Sequence, residues 1–261
     1  MLKIYRYNDV VEFVSFNSID NTRKKMTKEN DDNENKRNYE LESSMRSKKL
    51  IRQYGLSNKW NYFITITINK EKIDRTEHQL IQKKLCTFFK HYKQRYDKNF
   101  YYLLVAEPHK RKEKNGLHAV HFHGLLYIEN IEYWQLNFIK QKQQAIIYES
   151  QKLKNIFGRN DMTIIYNSSE FIAYYISKYM TKNVINNLDL KARYWASKGL
   201  SKGIEIDVSE TMEQKFYSLG IAPNYQNSFC SKYKFSIAEY KNINRLLTEN
   251  ELEIEERSTK L

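Results

Sequence analysis

The stretch FYYLLVAEPHKRKEKNGLHAVHFHGLLYI, residues 100–128, holds two apolar runs on either side of a basic segment. Phe100 to Glu107 reads as a strand, Pro108 to Gly116 as a basic loop, and His118 to Ile128 as the antiparallel return strand. Upstream, Trp60 to Ile68 alternates threonine with apolar residues, a strong strand pattern. Between the two, Leu80, Ile81, Leu85, Phe88, Phe89 and Tyr92 recur at helical intervals among lysines, which predicts an amphipathic helix over residues 75–96. Downstream, the pattern predicts a long helix over 131–156, a short strand over 162–166 and a helix over 168–182 with Ser168 or Ser169 as its N-cap. This order predicts an α+β domain: a central, mainly antiparallel sheet with helices packed on it.

The flanks are less regular. Residues 2–17 carry enough apolar and β-branched character for one or two short strands. The chain turns polar from Ser18 to about Arg37, and a weak helix follows over 39–54. The resulting division is a β-rich arm over 1–17, a charged linker with a weak helix over 18–54, a folded domain over 55–205, and a C-terminal extension of unknown role over 206–261. A chain of 261 residues with 41% hydrophobic and 14% aromatic content has enough apolar mass for such a domain.

Lys and Arg outnumber Asp and Glu by 44 to 31, a net charge of +13 that favours a polyanionic partner. Nucleic acid comes first and an anionic membrane surface second, with an AT-rich coding bias as the competing source of the lysines. Cys86 and Cys230 lie far apart without a CxxC partner, so neither a disulfide framework nor a thiolate zinc site is expected. The start lacks a signal-peptide apolar run, and no run of about 18 apolar residues is present. A cytoplasmic protein with no membrane partner is the expectation. Seven glycines, two prolines and no fixed-period repeat argue against solenoids and collagen-like chains.

His121-Phe122-His123 lies inside the return strand, where alternation points both imidazoles to one face and Phe122 to the other. Two imidazoles with a carboxylate suit a divalent ion, Mn²⁺ or, less ideally, Mg²⁺, and Glu107 at the end of the paired strand is placed to supply the oxygen. Alone, an HxH is more often a structural pair. Here His109, His118, His121 and His123 fall within fifteen positions. The odd offset of His118 from His121 puts it on the opposite face unless a bulge intervenes, and His109 is placed beside the loop, so both stay outside the first-choice set.

In the helix over 168–182, Tyr175 and Tyr179 are one turn apart, as are Lys178 and Lys182. A phenol is a poor nucleophile at neutral pH, so a neighbouring ammonium and a metal-polarised phosphate would both help it attack. Among 21 tyrosines, aromatics at helical spacing are more often packing residues, and it is the preceding HxH strand that favours chemistry. Lys110, Arg111 and Lys112 in the basic loop are the first choice for DNA phosphate contacts, a solvated turn being the alternative.

In this order the residues resemble the motifs of HUH-superfamily rolling-circle replication initiators, most closely the microvirus and phage type. Phe63-Ile64-Thr65-Ile66-Thr67 resembles the strand-borne Thr-rich motif, with Ile66 where Leu is usual. Glu107 with His121-Phe122-His123-Gly124 resembles the acid plus metal-binding motif, although the tract between Glu107 and His121 is long and rich in histidine. Tyr175-Ile176-Ser177-Lys178-Tyr179-Met180-Thr181-Lys182 resembles the nucleophile helix, and Tyr194 to Leu200 resembles the segment that often follows it. The resemblance spans roughly residues 60–200.

What the resemblance implies is an RRM-like palm acting as a metal-dependent endonuclease and strand transferase. Glu107, His121 and His123 would hold the ion, and Tyr175 would attack single-stranded origin DNA to leave a 5′-phosphotyrosine. Tyr179 would serve a second cleavage, Lys178 would stabilise charge, and Lys182 would contact DNA. No GxxxxGK[ST] loop occurs, so helicase and polymerase would come from the host. An HUH transposase or relaxase is the nearest enzymatic alternative. A non-catalytic nucleic-acid-binding regulator is the alternative from another class, and neither the histidine pair nor the tyrosine pair is needed for binding alone.

Overall fold

The computed structural model describes residues 1–16, 32–143, 145–166, 169–178, 188–190 and 192–258. They divide into two compact units, one drawn from residues 1–30 and 202–261, the other from 31–201. The N-terminal part of the first unit contributes β1 (Leu2–Arg6) and β2 (Val10–Phe16). The second unit runs through α1 (Asp32–Ser57), β3 (Tyr62–Thr67), α2 (His78–Arg95), β4 (Tyr101–Lys112) and β5 (His118–Tyr127). It continues through a 3-10 turn at Glu132–Trp134, β6 (Leu136–Lys142), β7 (Ala145–Ser150), α3 (Gln151–Ile156), β8 (Asn160–Ile164), α4 (Ser169–Lys178) and β9 (Tyr194–Ala196). The first unit is completed by β10 (Ile204–Ile206), α5 (Glu210–Ser218), β11 (Tyr225–Gln226), β12 (Cys230–Ser236) and α6 (Ile237–Ser258).

The fold class is α+β, with two antiparallel sheets. The larger sheet has the order β6-β7-β8-β3-β5-β4-β9, and β3 and β5 lie near its middle because their residues are apolar on one face and bear short polar groups on the other. Ile64 and Ile66 of β3, Phe122 and Leu126 of β5, and Leu104 and Ala106 of β4 are buried with Ile81, Leu85, Phe89 and Tyr92 of α2. Each such side chain contributes roughly 1.5–3 kcal/mol on burial. The opposite face carries Leu103, Val105 and Leu125, covered by Ile51 of α1 and by Ile172 and Ile176 of α4.

Several expectations need correction. The long helix over 131–156 is instead the 3-10 turn, the β6–β7 hairpin and the short α3, which Ser150 caps by accepting from the Leu153 N–H. Ile146, Ile147 and Tyr148 prefer a pleated surface, and pairing of β7 with β8 supplies one. The basic loop over 108–116 is mostly strand: β4 runs on to Lys112, with a register shift against β5 between Pro108 and Lys112. The weak helix after the linker begins at Asp32 and extends to Ser57. The N-terminal arm and the C-terminal extension, read as separate pieces, share the second sheet, ordered β10-β1-β2-β12-β11. Its core joins Ile4, Val11 and Phe13 to Phe216, Phe235 and Leu247.

Charge divides unevenly between the units. The first has 14 Lys and Arg against 14 Asp and Glu, and the second has 30 against 17, so the whole excess of +13 belongs to the unit that holds the HxH strand. A polyanion is attracted to that unit by its net charge. Among the described residues no helix is long and apolar enough to cross a membrane.

Candidate active site

Pairing register arranges the α4-covered face of the larger sheet in successive rungs. Phe63 faces Leu125 and Thr163, Thr65 faces His123 and Asp161, and Thr67 faces His121, which in turn faces Glu107. Directly opposed residues in antiparallel strands project to the same side, and rungs two residues apart are separated by roughly 7 Å. The two histidines, the glutamate and both threonines of β3 therefore share one face, as the alternation predicts.

The imidazoles are oriented by the neighbouring strand. Thr65 Oγ1 lies 3.1 Å from His123 Nδ1, and Thr67 Oγ1 lies 3.1 Å from His121 Nδ1. These contacts turn each Nε2 away from β3, and His123 Nε2 meets Glu107 Oε2 at 2.8 Å. Neutral His123 can donate Nε2–H to Glu107 while Nδ1 accepts from Thr65. The other tautomer donates from Nδ1 to Thr65 and leaves Nε2 bare as a metal donor. The hydrogen bond from His123, together with charge from both imidazoles, holds the Glu107 carboxyl below its usual range. Burial, reinforced by the His109 and His123 rings, pushes His121 down to about 4, which keeps it neutral, as a ligand must be.

Among the described residues no group of three or more His, Cys, Asp or Glu side chains is closed up into a metal centre. The donor chemistry of Glu107, His121 and His123 nevertheless suits a divalent ion that accepts nitrogen and oxygen together. The proton between His123 and Glu107 occupies a position that such an ion would take.

Sequence reasoning passed over two neighbours. The His109 ring stacks on His121 with centroids 5.0 Å apart, because the irregular pairing of β4 after Pro108 returns it to this face. The equal parity of His109 and Glu107 was the available signal. Asp161 shares the Thr65 rung, and only the pairing of β8 with β3 reveals this. His118 is turned outward, donating from Nδ1 to the His109 carbonyl at 2.7 Å.

Tyr175 lies on α4 with its ring edge-on to Phe63 at 4.7 Å, and the Phe63 ring stacks on His123 at 6.2 Å. One aromatic ring thus separates the first candidate nucleophile from the histidine pair. Lys178 is exposed in the last turn of α4, and Lys110, Arg111 and Lys112 are exposed on the outer half of β4 rather than in a loop. Tyr179 and Lys182, and Ser168 as a cap, lie outside the described residues.

α4 is seated by α1 through a close backbone approach. A Cβ built on Gly55 would lie 2.7 Å from Ala173 Cα, closer than real side chains come. Gly55→Val is expected to cost about 1–3 kcal/mol through overpacking and to displace α4 from the sheet. Thermal unfolding measures the first effect. A loss of DNA cleavage larger than the unfolded fraction explains would report the second, and wild-type cleavage by a folded Gly55→Val protein would show that this contact does not position Tyr175.

Residues 61–184 match the family model of the replication-associated protein ORF2, a segment that runs from β3 through α4. The likeness supports a replication initiator family and suggests endonuclease activity. No curated protein and no solved structure matches the chain.

Proposed function

We propose that the protein initiates rolling-circle replication by nicking and rejoining single-stranded origin DNA through a 5′-phosphotyrosine. The observation that carries this reading is the ring contact from Tyr175 through Phe63 to His123, which sets a phenol beside an oriented His-His-Glu donor set. The family likeness over residues 61–184 supports the replicative role. A bound Mn²⁺ or Mg²⁺ supplies Lewis-acid polarisation of the scissile phosphate. Glu107, His121 and His123 hold it, with Thr65 and Thr67 fixing the imidazoles.

Tyr175 Oη attacks the phosphorus, the bond to the 3′ oxygen breaks, and the phenolic proton passes through solvent to the departing 3′-hydroxyl. The phosphotyrosine keeps the phosphodiester energy, so a later 3′-hydroxyl can reverse the step and restore tyrosine. Lys178, one turn from the second candidate phenol, offsets negative charge on phosphate. Tyr179 takes the second cleavage. The freed 3′ end is extended by a host polymerase behind a host helicase, which places the reaction in the cytoplasm of the host cell.

Incubation with single-stranded DNA of the replicon that carries its gene, plus Mn²⁺, is expected to yield a protein-linked 5′ end at one position. A chelator prevents it. Cleavage without a covalent adduct would overturn the tyrosine mechanism.

A further inference from the structure

A cavity of about 320 Å³ opens beside Tyr175, with Phe63, Thr163, Ile165, Phe171 and Ala145 in its lining. Its aromatic wall is well defined: the Phe171 and Tyr175 rings are stacked 6.0 Å apart at 14°, with Phe63 edge-on to Tyr175. Register carries the same face outward, since Phe63 faces Thr163, Thr163 faces Ile147, and Ile147 faces Lys140. On the next rung Ala145 faces Lys142. Lys140 and Lys142, both exposed, therefore stand on the edge strand of the face into which the cavity opens.

An aromatic slot with one hydroxyl at its floor and two cations at its edge matches one chemical class, an unstacked nucleobase with its adjoining phosphates. The positive excess of this unit favours the same polyanion. We propose that this cavity binds a single base of the DNA strand flanking the scissile phosphate. Phe63 and Phe171 contact the ring, the Thr163 hydroxyl hydrogen-bonds its edge, and Lys140 and Lys142 engage the phosphates beyond it. The placement next to the cut rests on the nicking reading, whereas base binding itself does not. The β6–β7 hairpin becomes part of the DNA platform.

The test uses the full chain in chelator, where no cleavage occurs, with short single-stranded fragments of the replicon carrying 2-aminopurine at one position each. One position should change its fluorescence on binding. Ala145→Trp, which fills the cavity, should abolish that response and weaken binding by about 5- to 150-fold, the equivalent of one stacked base. Ala145→Ser should behave as wild type. Lys140→Gln with Lys142→Gln should lower the salt slope of binding by roughly 1.4. This pair keeps the test decisive if Ala145→Trp fails to fold, because both lysines are exposed.

No responding position, or unchanged affinity and salt slope in these variants, would overturn the proposal. In Mn²⁺ the two readings separate. Adduct formation by Ala145→Trp at the wild-type rate removes the base pocket alone. A fluorescence response lost in Ala145→Trp, in a wild-type protein that never forms an adduct, supports the pocket and removes the nicking reading.

Discussion

His123→Ala is expected to abolish metal-dependent cleavage, with a loss well beyond ~100-fold, while the protein remains folded. Removing only an outer hydrogen-bond partner of a metal ligand costs about 10- to 100-fold in affinity or activity, and a ligand itself costs more. The fold should survive because the change frees Glu107, whose side chain is 39% exposed and can bind water instead. The stability cost is then about 1–3 kcal/mol for the broken hydrogen bonds. His121→Ala should behave alike. Thr65→Val, which leaves all three donors but removes the hydroxyl at His123 Nδ1, should weaken Mn²⁺ binding by about 10- to 100-fold, and Thr65→Ser should restore it. Calorimetric Mn²⁺ titration, adduct yield and thermal unfolding measure the three effects separately. Full cleavage by either histidine variant would sink the metal assignment.

Much of this site is legible in the sequence because its carriers are strands with a period of two. Thr65 and Thr67 must share a face, as must His121 and His123, and the hairpin from Glu107 to His121 brings the acid across. What local pattern cannot supply is which strand lies beside which. The contacts of Thr65 with His123 and of Asp161 with the Thr65 rung depend on β3 pairing with both β5 and β8, a nonlocal fact. The β6–β7 hairpin stays hidden for a different reason. Its turn places Gln143 at φ 53° without the Asn-Gly or Gly signal that normally marks such a turn, and its lysines and glutamines suit a helix as well as an edge strand. The smaller sheet is illegible because β1 and β10 are short and about 200 residues apart, so neither identifies its partner. The helix over 168–182 is legible as far as Lys178, where its described part ends.

Tyr175→Phe is expected to lose roughly three orders of magnitude or more of initial cleavage, as removal of a covalent nucleophile does. Phenylalanine preserves the ring that packs against Phe63 and Phe171, so folding and DNA binding should stay near wild type and the loss should fall on chemistry. Tyr174 is the internal control. It is 70% exposed and stands about 100° around the helix from Tyr175, away from Phe63, so Tyr174→Phe should cleave within about twofold of wild type. Continuation of the helix by one turn would put the Tyr179 phenol about 6 Å along the axis from Tyr175 and only about 40° around it, within reach of the same phosphate after a modest shift of the strand. Tyr179→Phe should therefore nick once and fail in repeated cleavage and strand transfer. Mass spectrometry of the covalent adduct decides the matter: DNA on Tyr175 in the wild type, and on both Tyr175 and Tyr179 under multiple turnover, is the expected result. DNA on Tyr174, or on a residue outside α4 and its next turn, would show that the contact with Phe63 does not mark the nucleophile.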